Sequence, residues 1–282
     1  MTVAFKTPPL ITEAAIEAGE AKASTPVDRV LVAGILAGAF IAFGGLLGIV
    51  VTAGLAPTTG MPALVMGAAF SVGLMLVVIA GAELVTGGAP LTFMAAFHGR
   101  VSWLKVGRYT LWAMVGNLLG ALLVAYFLAV KSGVVVTPIG VKRLTAIATL
   151  KGATETDWQI FLRAVGCNWL VCLAVWMAMG AEDVGSKILA IFFPITAFVA
   201  MGFDHVVANM FFLPAAIFAH VPGIDWLDAV RNWGFAALGN LVGAGVFVSA
   251  AYWYLYGRLA SPSAAPALEH ASPAEAALAA SA

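Results

Sequence analysis

The chain has 282 residues, of which 62% are hydrophobic and only 10% charged; soluble domains carry about 25% charge, so water is not its main solvent. Fourteen Lys and Arg balance fourteen Asp and Glu, which leaves no basic surface for nucleic acid. At about 20 apolar residues per crossing, the length holds six spans with short connections, and the composition predicts an all-α polytopic membrane protein.

The first 25 residues lack the basic start, apolar run and cleavage site of a secretory signal, so the N-terminus is expected to be retained. Over residues 10–22, Ile11, Ala14, Ala15 and Ala18 share one helical face and Thr12, Glu13, Glu17 and Glu20 another. This predicts an amphipathic helix within a segment 1–27, serving either as a gate or as a surface helix that frays. Apolar stretches follow at 30–55, 63–97, 104–130, 158–179, 188–219 and 233–256, within a membrane domain spanning 28–258. The second and fifth are too long for one plain span and carry polar residues at mid-length, Glu83 to Gly88 and Asp204-His205. Each is expected to break there, and a break frees backbone groups that only protein or a wet cavity can satisfy. The Ala/Ser/Pro-rich tail, 259–282, is expected to be disordered.

The two halves repeat. Gly81-Ala82-Glu83-Leu84 is followed 35 residues later by Gly116-Asn117-Leu118-Leu119-Gly120. Gly202-Phe203-Asp204-His205 is followed 37 residues later by Gly239-Asn240-Leu241-Val242-Gly243. With three spans per half, the second half enters the membrane in the opposite sense, and the broken helices point at each other near the midplane, where such folds select their solute. An inside N-terminus places eight Lys and Arg in the cytoplasm against six on the other face, so both termini are expected inside the cell membrane. Small-residue pairs such as Gly34 and Gly38, or Gly116 and Gly120, predict close helix packing, within one protomer or between subunits.

His205 is the one mid-membrane histidine, since His98 and His220 lie near helix ends and His270 in the tail. Buried ionisable groups in a membrane are costly unless paired or used, and a free imidazole exchanges protons near neutral pH. The bland alternative is a structural histidine. Glu83 and Asp204 hold equivalent repeat positions and are expected to brace the loops, capping the following half-helices through N–H bonds, so their amide variants should keep transport. Thr86 offers a hydroxyl on a permissive Gly87-Gly88 backbone. Asn117, Asn168, Asn209 and Asn240 need partners in apolar surroundings, more often a neighbouring helix than a ligand. Cys167 and Cys172 read as core residues, with no metal or cofactor site. No nucleotide loop, nucleophile elbow or catalytic domain is present, so an enzyme is not expected.

These segments together resemble the formate/nitrite transporter family, in order: Gly81 to Gly87, Cys167-Asn168-Trp169-Leu170-Val171-Cys172, Gly202 to Phe212, and Leu238-Gly239-Asn240. The resemblance covers residues 10–258 and implies a homopentamer of aquaporin-like protomers, each with its own pore. It places His205 at the centre, with Thr86 facing it, and Asn168, Asn240 and a vestibule Lys151 along the substrate pathway. It further matches Phe70, Leu74, Leu84, Val171 and Phe198 to apolar constrictions, and leaves Glu83, Asp204 and Asn209 as loop braces. Asp204 stands where glutamate is common. The implied cargo is a small monovalent weak acid, formate first and nitrite second, with hydrosulfide, acetate or lactate behind, crossing with a proton or beside the histidine. The different-class alternatives are a neutral-solute pore with a structural His205 and a membrane scaffold.

Overall fold

The computed structural model describes residues 5–56 and 60–258. Among the described residues there are ten α-helices: α1 (Pro8–Ser24), α2 (Val27–Thr52), α3 (Met61–Ala80), α4 (Val85–Phe97), α5 (Trp103–Leu123), α6 (Pro138–Thr149), α7 (Asp157–Gly180), α8 (Val184–Ala200), α9 (Val206–Phe218) and α10 (Trp226–Ala244). π-helical turns extend α5 to Lys131 and α10 towards Gly257. Among the described residues, five helices are long and apolar enough to cross a membrane: α2, α3, extended α5, α7 and extended α10. The remaining expected stretch, 188–219, is divided between α8 (17 residues) and α9 (13 residues). The tail expected to be disordered, 259–282, lies outside the described residues.

The repeat governs the architecture. α2 pairs with α5 as α7 pairs with α10, and α3 packs on α8 across the two halves. α3 and α4 are separated at residues 81–84 and α8 and α9 at 201–205. The chain turns at Gly81 (φ 80°) and Gly202 (φ 73°), left-handed positions where a side chain is strained. The half-helices α4 and α9 start from the extended residues Leu84 and His205, and both contain a proline, Pro90 and Pro214. The small-residue pairs pack inside the protomer: Gly34 meets Gly116, Gly38 meets Asn117, and Gly239 and Gly243 meet α7.

The repeat is longer than the spans. The N-terminal helix is α1, with Ile11, Ala15, Ile16 and Ala23 buried together with Thr12, expected on the polar face. It lies on α4, and the Lys6 amide donates to the Gly180 carbonyl at 2.9 Å. Its counterpart in the second half is α6 with the π turn Leu150–Thr154. That segment connects α5 to α7.

Candidate functional site

Each break leaves the first amide of the half-helix beyond it unsatisfied, and an asparagine from the paired long helix supplies the acceptor. Asn117 Oδ1 accepts from the Val85 amide at 2.9 Å, and its Nδ2 donates to the Glu83 and Gly34 carbonyls at 2.9 Å each. Asn240 Oδ1 accepts from the Val206 amide at 2.9 Å, and its Nδ2 donates to the Asp204 carbonyl at 2.9 Å and the Ala164 carbonyl at 2.8 Å. Both side chains are buried with all these groups paired, as an apolar setting requires. Asn240, expected on the solute path, holds the loop through these bonds, and the amides expected to be capped by Glu83 and Asp204 go to the two asparagines instead.

The carboxylates hold lysines instead. Lys22, near the end of α1, donates to both Glu83 oxygens at 2.7 Å, and Tyr109 Oη donates to the same carboxylate at 2.5 Å. In the other half Lys151 Nζ lies 2.9 Å from Asp204 Oδ1 and donates to the Gly202 and Phe203 carbonyls at 3.0 and 3.3 Å. Three acceptors use the three N–H groups of an ammonium. Asn209, expected as a brace, donates to Asp204 Oδ1 and Asn232 Oδ1, each at 2.8 Å. Glu155, 3.7 Å from Lys151 and bonded by Arg163, completes this cluster, and burial pushes its carboxyl up to about 7 against the pull of Lys151. The two lysines are pseudo-symmetric. Lys22 escaped sequence reasoning because α1 lies outside the spans in which the repeat is legible.

Two cavities flank the crossing of the breaks. One, of about 380 Å³, is lined by Lys22, Glu83, Leu74, Leu84, Gly87, Gly88 and Val175. The other, of about 250 Å³, is lined by Lys151, Arg143, Phe70, Phe198, Phe203, Asn209 and His205. Phe70 and Phe198 meet edge to face at 5.9 Å, and Phe198 stacks 6.0 Å from the His205 ring. Leu74 and Leu84 line the opposite cavity, and all four are buried. Val171 is buried and lies one turn before Val175, which lines the Lys22 cavity.

Between the cavities, His205 Nε2 lies 2.8 Å from Thr86 Oγ1, both buried. His205 also caps α9, its Nδ1 accepting from the Ala208 amide at 3.2 Å. An acceptor Nδ1 carries no proton, so the proton of the neutral imidazole sits on Nε2 and is donated to Thr86 Oγ1. The threonine hydroxyl hydrogen remains available to an anion. Asn168 lies beside this crossing, with Nδ2 on the Asn240 carbonyl at 2.7 Å and a buried Oδ1 that has no partner among the described residues.

On this frame the family model for formate/nitrite transporters matches residues 9–254. The chain belongs to the formate/nitrite transporter family. It is 45% identical to a "probable formate transporter" of Methanothermobacter thermautotrophicus over 91% of this chain and 99% of that protein. A nitrite transporter of Salmonella typhimurium is 34% identical over 79% of the chain and 81% of its own length. A solved pentameric formate channel with formate bound superposes with a TM-score of 0.72 at 31% identity, covering 82% of this chain and 97% of that one. This formate/nitrite transporter family member is thus a multi-pass membrane protein of a transport family.

Gly88 tests the first-half clamp. A Cβ there would stand 2.0 Å from Tyr109 Oη, far inside contact distance. Gly88→Ala is expected to push Tyr109 off Glu83 and to lower the melting temperature of the purified protein by several degrees, consistent with about 1–3 kcal/mol for overpacking. Calorimetry or a fluorescence melt reads this directly, and an unchanged melt would mean that the clamp has slack.

Proposed function

We propose that the chain conducts small monovalent weak-acid anions, formate first and nitrite second, across the inner (plasma) membrane as a homopentamer of one-pore protomers. Hydrosulfide, acetate and lactate stand behind these two. The observation that carries the reading is the Thr86 hydroxyl against the His205 imidazole at 2.8 Å, buried between two apolar slits. The names of the relatives and of the pentameric formate channel support the cargo and the assembly. Both described ends of the chain lie on one face, since α1 packs against Trp253–Gly257, and the lysine and arginine balance puts that face in the cytoplasm.

The physical problem is the crossing of a dry slit, where a bare charge costs several kcal/mol even after relaxation. The anion leaves water at Phe70 and Phe198 or at Leu74 and Leu84, and takes the hydrogen of the Thr86 hydroxyl in place of its hydration. One proton from vestibule water crosses with it, held on the anion as the neutral acid or shared with His205. Net charge in the slit is then near zero. Chloride, whose conjugate acid is too strong to form, is excluded. Lys22 and Lys151, paired with Glu83 and Asp204, fix the two loops at the mouths of the path.

Uptake into proteoliposomes of a panel of weak acids tests this. Formate and nitrite uptake should rise steeply when the outside is acidified, with chloride excluded. A neutral-solute pore predicts glycerol or urea flux, insensitive to pH, and no formate uptake; that outcome would overturn the reading.

A further inference from the structure

The cavity on the His205 side holds a second cation that the loop network does not use. Arg143, on α6, is half-buried and lines this cavity together with Lys151 and His205. Its Nε donates to Thr52 Oγ1 at 2.9 Å and one Nη to Met66 Sδ at 3.6 Å, a weak acceptor. Among the described residues no carboxylate lies within ion-pair distance of it, whereas Lys151 faces both Asp204 and Glu155, Arg163 meets Glu155, and Arg231 meets Asp157. Lys151 is therefore neutralised by its neighbours and has its three N–H groups engaged. The guanidinium keeps one whole Nη edge without a described acceptor, over a wall of Met66, Phe70 and Phe198. Half-buried charge without a counterion is costly, and an anion in the cavity removes that cost.

We propose that Arg143 is the anion-binding residue of this vestibule, and that its planar fork selects anions presenting two oxygens, carboxylates and nitrite, over a spherical or single-atom anion such as hydrosulfide. A guanidinium matches a two-oxygen anion with two parallel hydrogen bonds, while an ammonium at the same place is a point charge. The Thr52 contact fixes the plane of the fork. This inference rests on the reading of the chain as a weak-acid anion pathway.

The test is the concentration dependence of formate and hydrosulfide uptake in proteoliposomes at pH 7.5, for the wild type, Arg143→Lys, Arg143→Gln and Thr52→Val. Arg143→Lys should raise the half-saturating formate concentration about tenfold, the scale of one charge-assisted hydrogen bond, with the maximal rate little changed and hydrosulfide uptake unaffected. Arg143→Gln should weaken both solutes. Thr52→Val loosens the anchor and keeps the charge, so its half-saturation should move by no more than about twofold. Gel filtration reports folding, and the lysine variant keeps the question open to an answer if the glutamine variant does not assemble. If all Arg143 variants bind formate as the wild type does, or lose only assembly in step with Thr52→Val, Arg143 is a brace for α6 and the proposal is overturned. If the wild type itself takes up no weak acid, the anion-pathway reading falls instead.

Discussion

His205→Asn is expected to assemble normally and to carry formate as an ion rather than with a proton. Asparagine is among the best N-caps, so the Ala208 amide that His205 Nδ1 now accepts keeps a partner, and α9 keeps its start. The amide cannot titrate. In planar bilayers a formate gradient should then drive a current that the wild type lacks, and selectivity against chloride should fall. His205→Phe removes both the titrating group and the cap, leaving a buried amide unpaired at about 1–3 kcal/mol. Its uptake is expected to lose dependence on external pH, and its yield of intact oligomer should fall. An unchanged pH dependence in either variant would remove His205 from proton handling and leave it a capping residue. The same geometry carries a further consequence: a second proton on Nδ1 breaks the bond from the Ala208 amide, so charging the imidazole loosens the first turn of α9.

Asn240→Ala and Asn117→Ala are expected to be the most damaging substitutions for assembly. Each removes one acceptor and two donors and leaves a buried amide and the loop carbonyl of Glu83 or Asp204 unpaired, while the Gly34 and Ala164 carbonyls keep their helical bonds. At about 1–3 kcal/mol per group before relaxation, the loss is about 2–6 kcal/mol, a large part of the margin of a folded domain, about 5–15 kcal/mol. Detergent gel filtration should find little intact protein. The carboxylates should behave unequally. Glu83→Gln keeps one acceptor oxygen for Lys22 or Tyr109 at a site where Lys22 is still partly wet, and should keep most transport. Asp204→Asn leaves Lys151 buried beside Glu155 alone, with side-chain exposures of 8% and 0% in the present pair, and breaking a buried ion pair costs about 3–5 kcal/mol. Intact oligomer from Asn240→Ala at wild-type yield would show that the loop is held by other means.

The sequence by itself determined the solvent, the repeat and the crossing of the breaks. Composition requires a bilayer, and an apolar stretch interrupted by Glu83 or Asp204-His205 cannot continue as a lipid-facing helix, since each freed N–H needs a partner that hydrocarbon lacks. The spacing from Gly81 to Asn117 and from Gly202 to Asn240 carried the symmetry without any structure. The direction of each hydrogen bond was not legible. A carboxylate and an asparagine are both good acceptors, and both recur at matched positions, so which one meets the Val85 or Val206 amide depends on ångström-level placement by the paired helix. Nor was the extent of the repeat legible. α1 and α6 are short and weakly apolar, and only packing against the spans reveals that Lys22 and Lys151 occupy the same place in the two halves. In the sequence, Lys151 and Arg143 are equal positive charges eight residues apart. Tertiary structure distinguished them, because a charge acts on a solute only to the extent that its neighbours leave it uncompensated, and Asp204 beside Lys151, like Thr52 and Met66 beside Arg143, comes from an element distant in the chain.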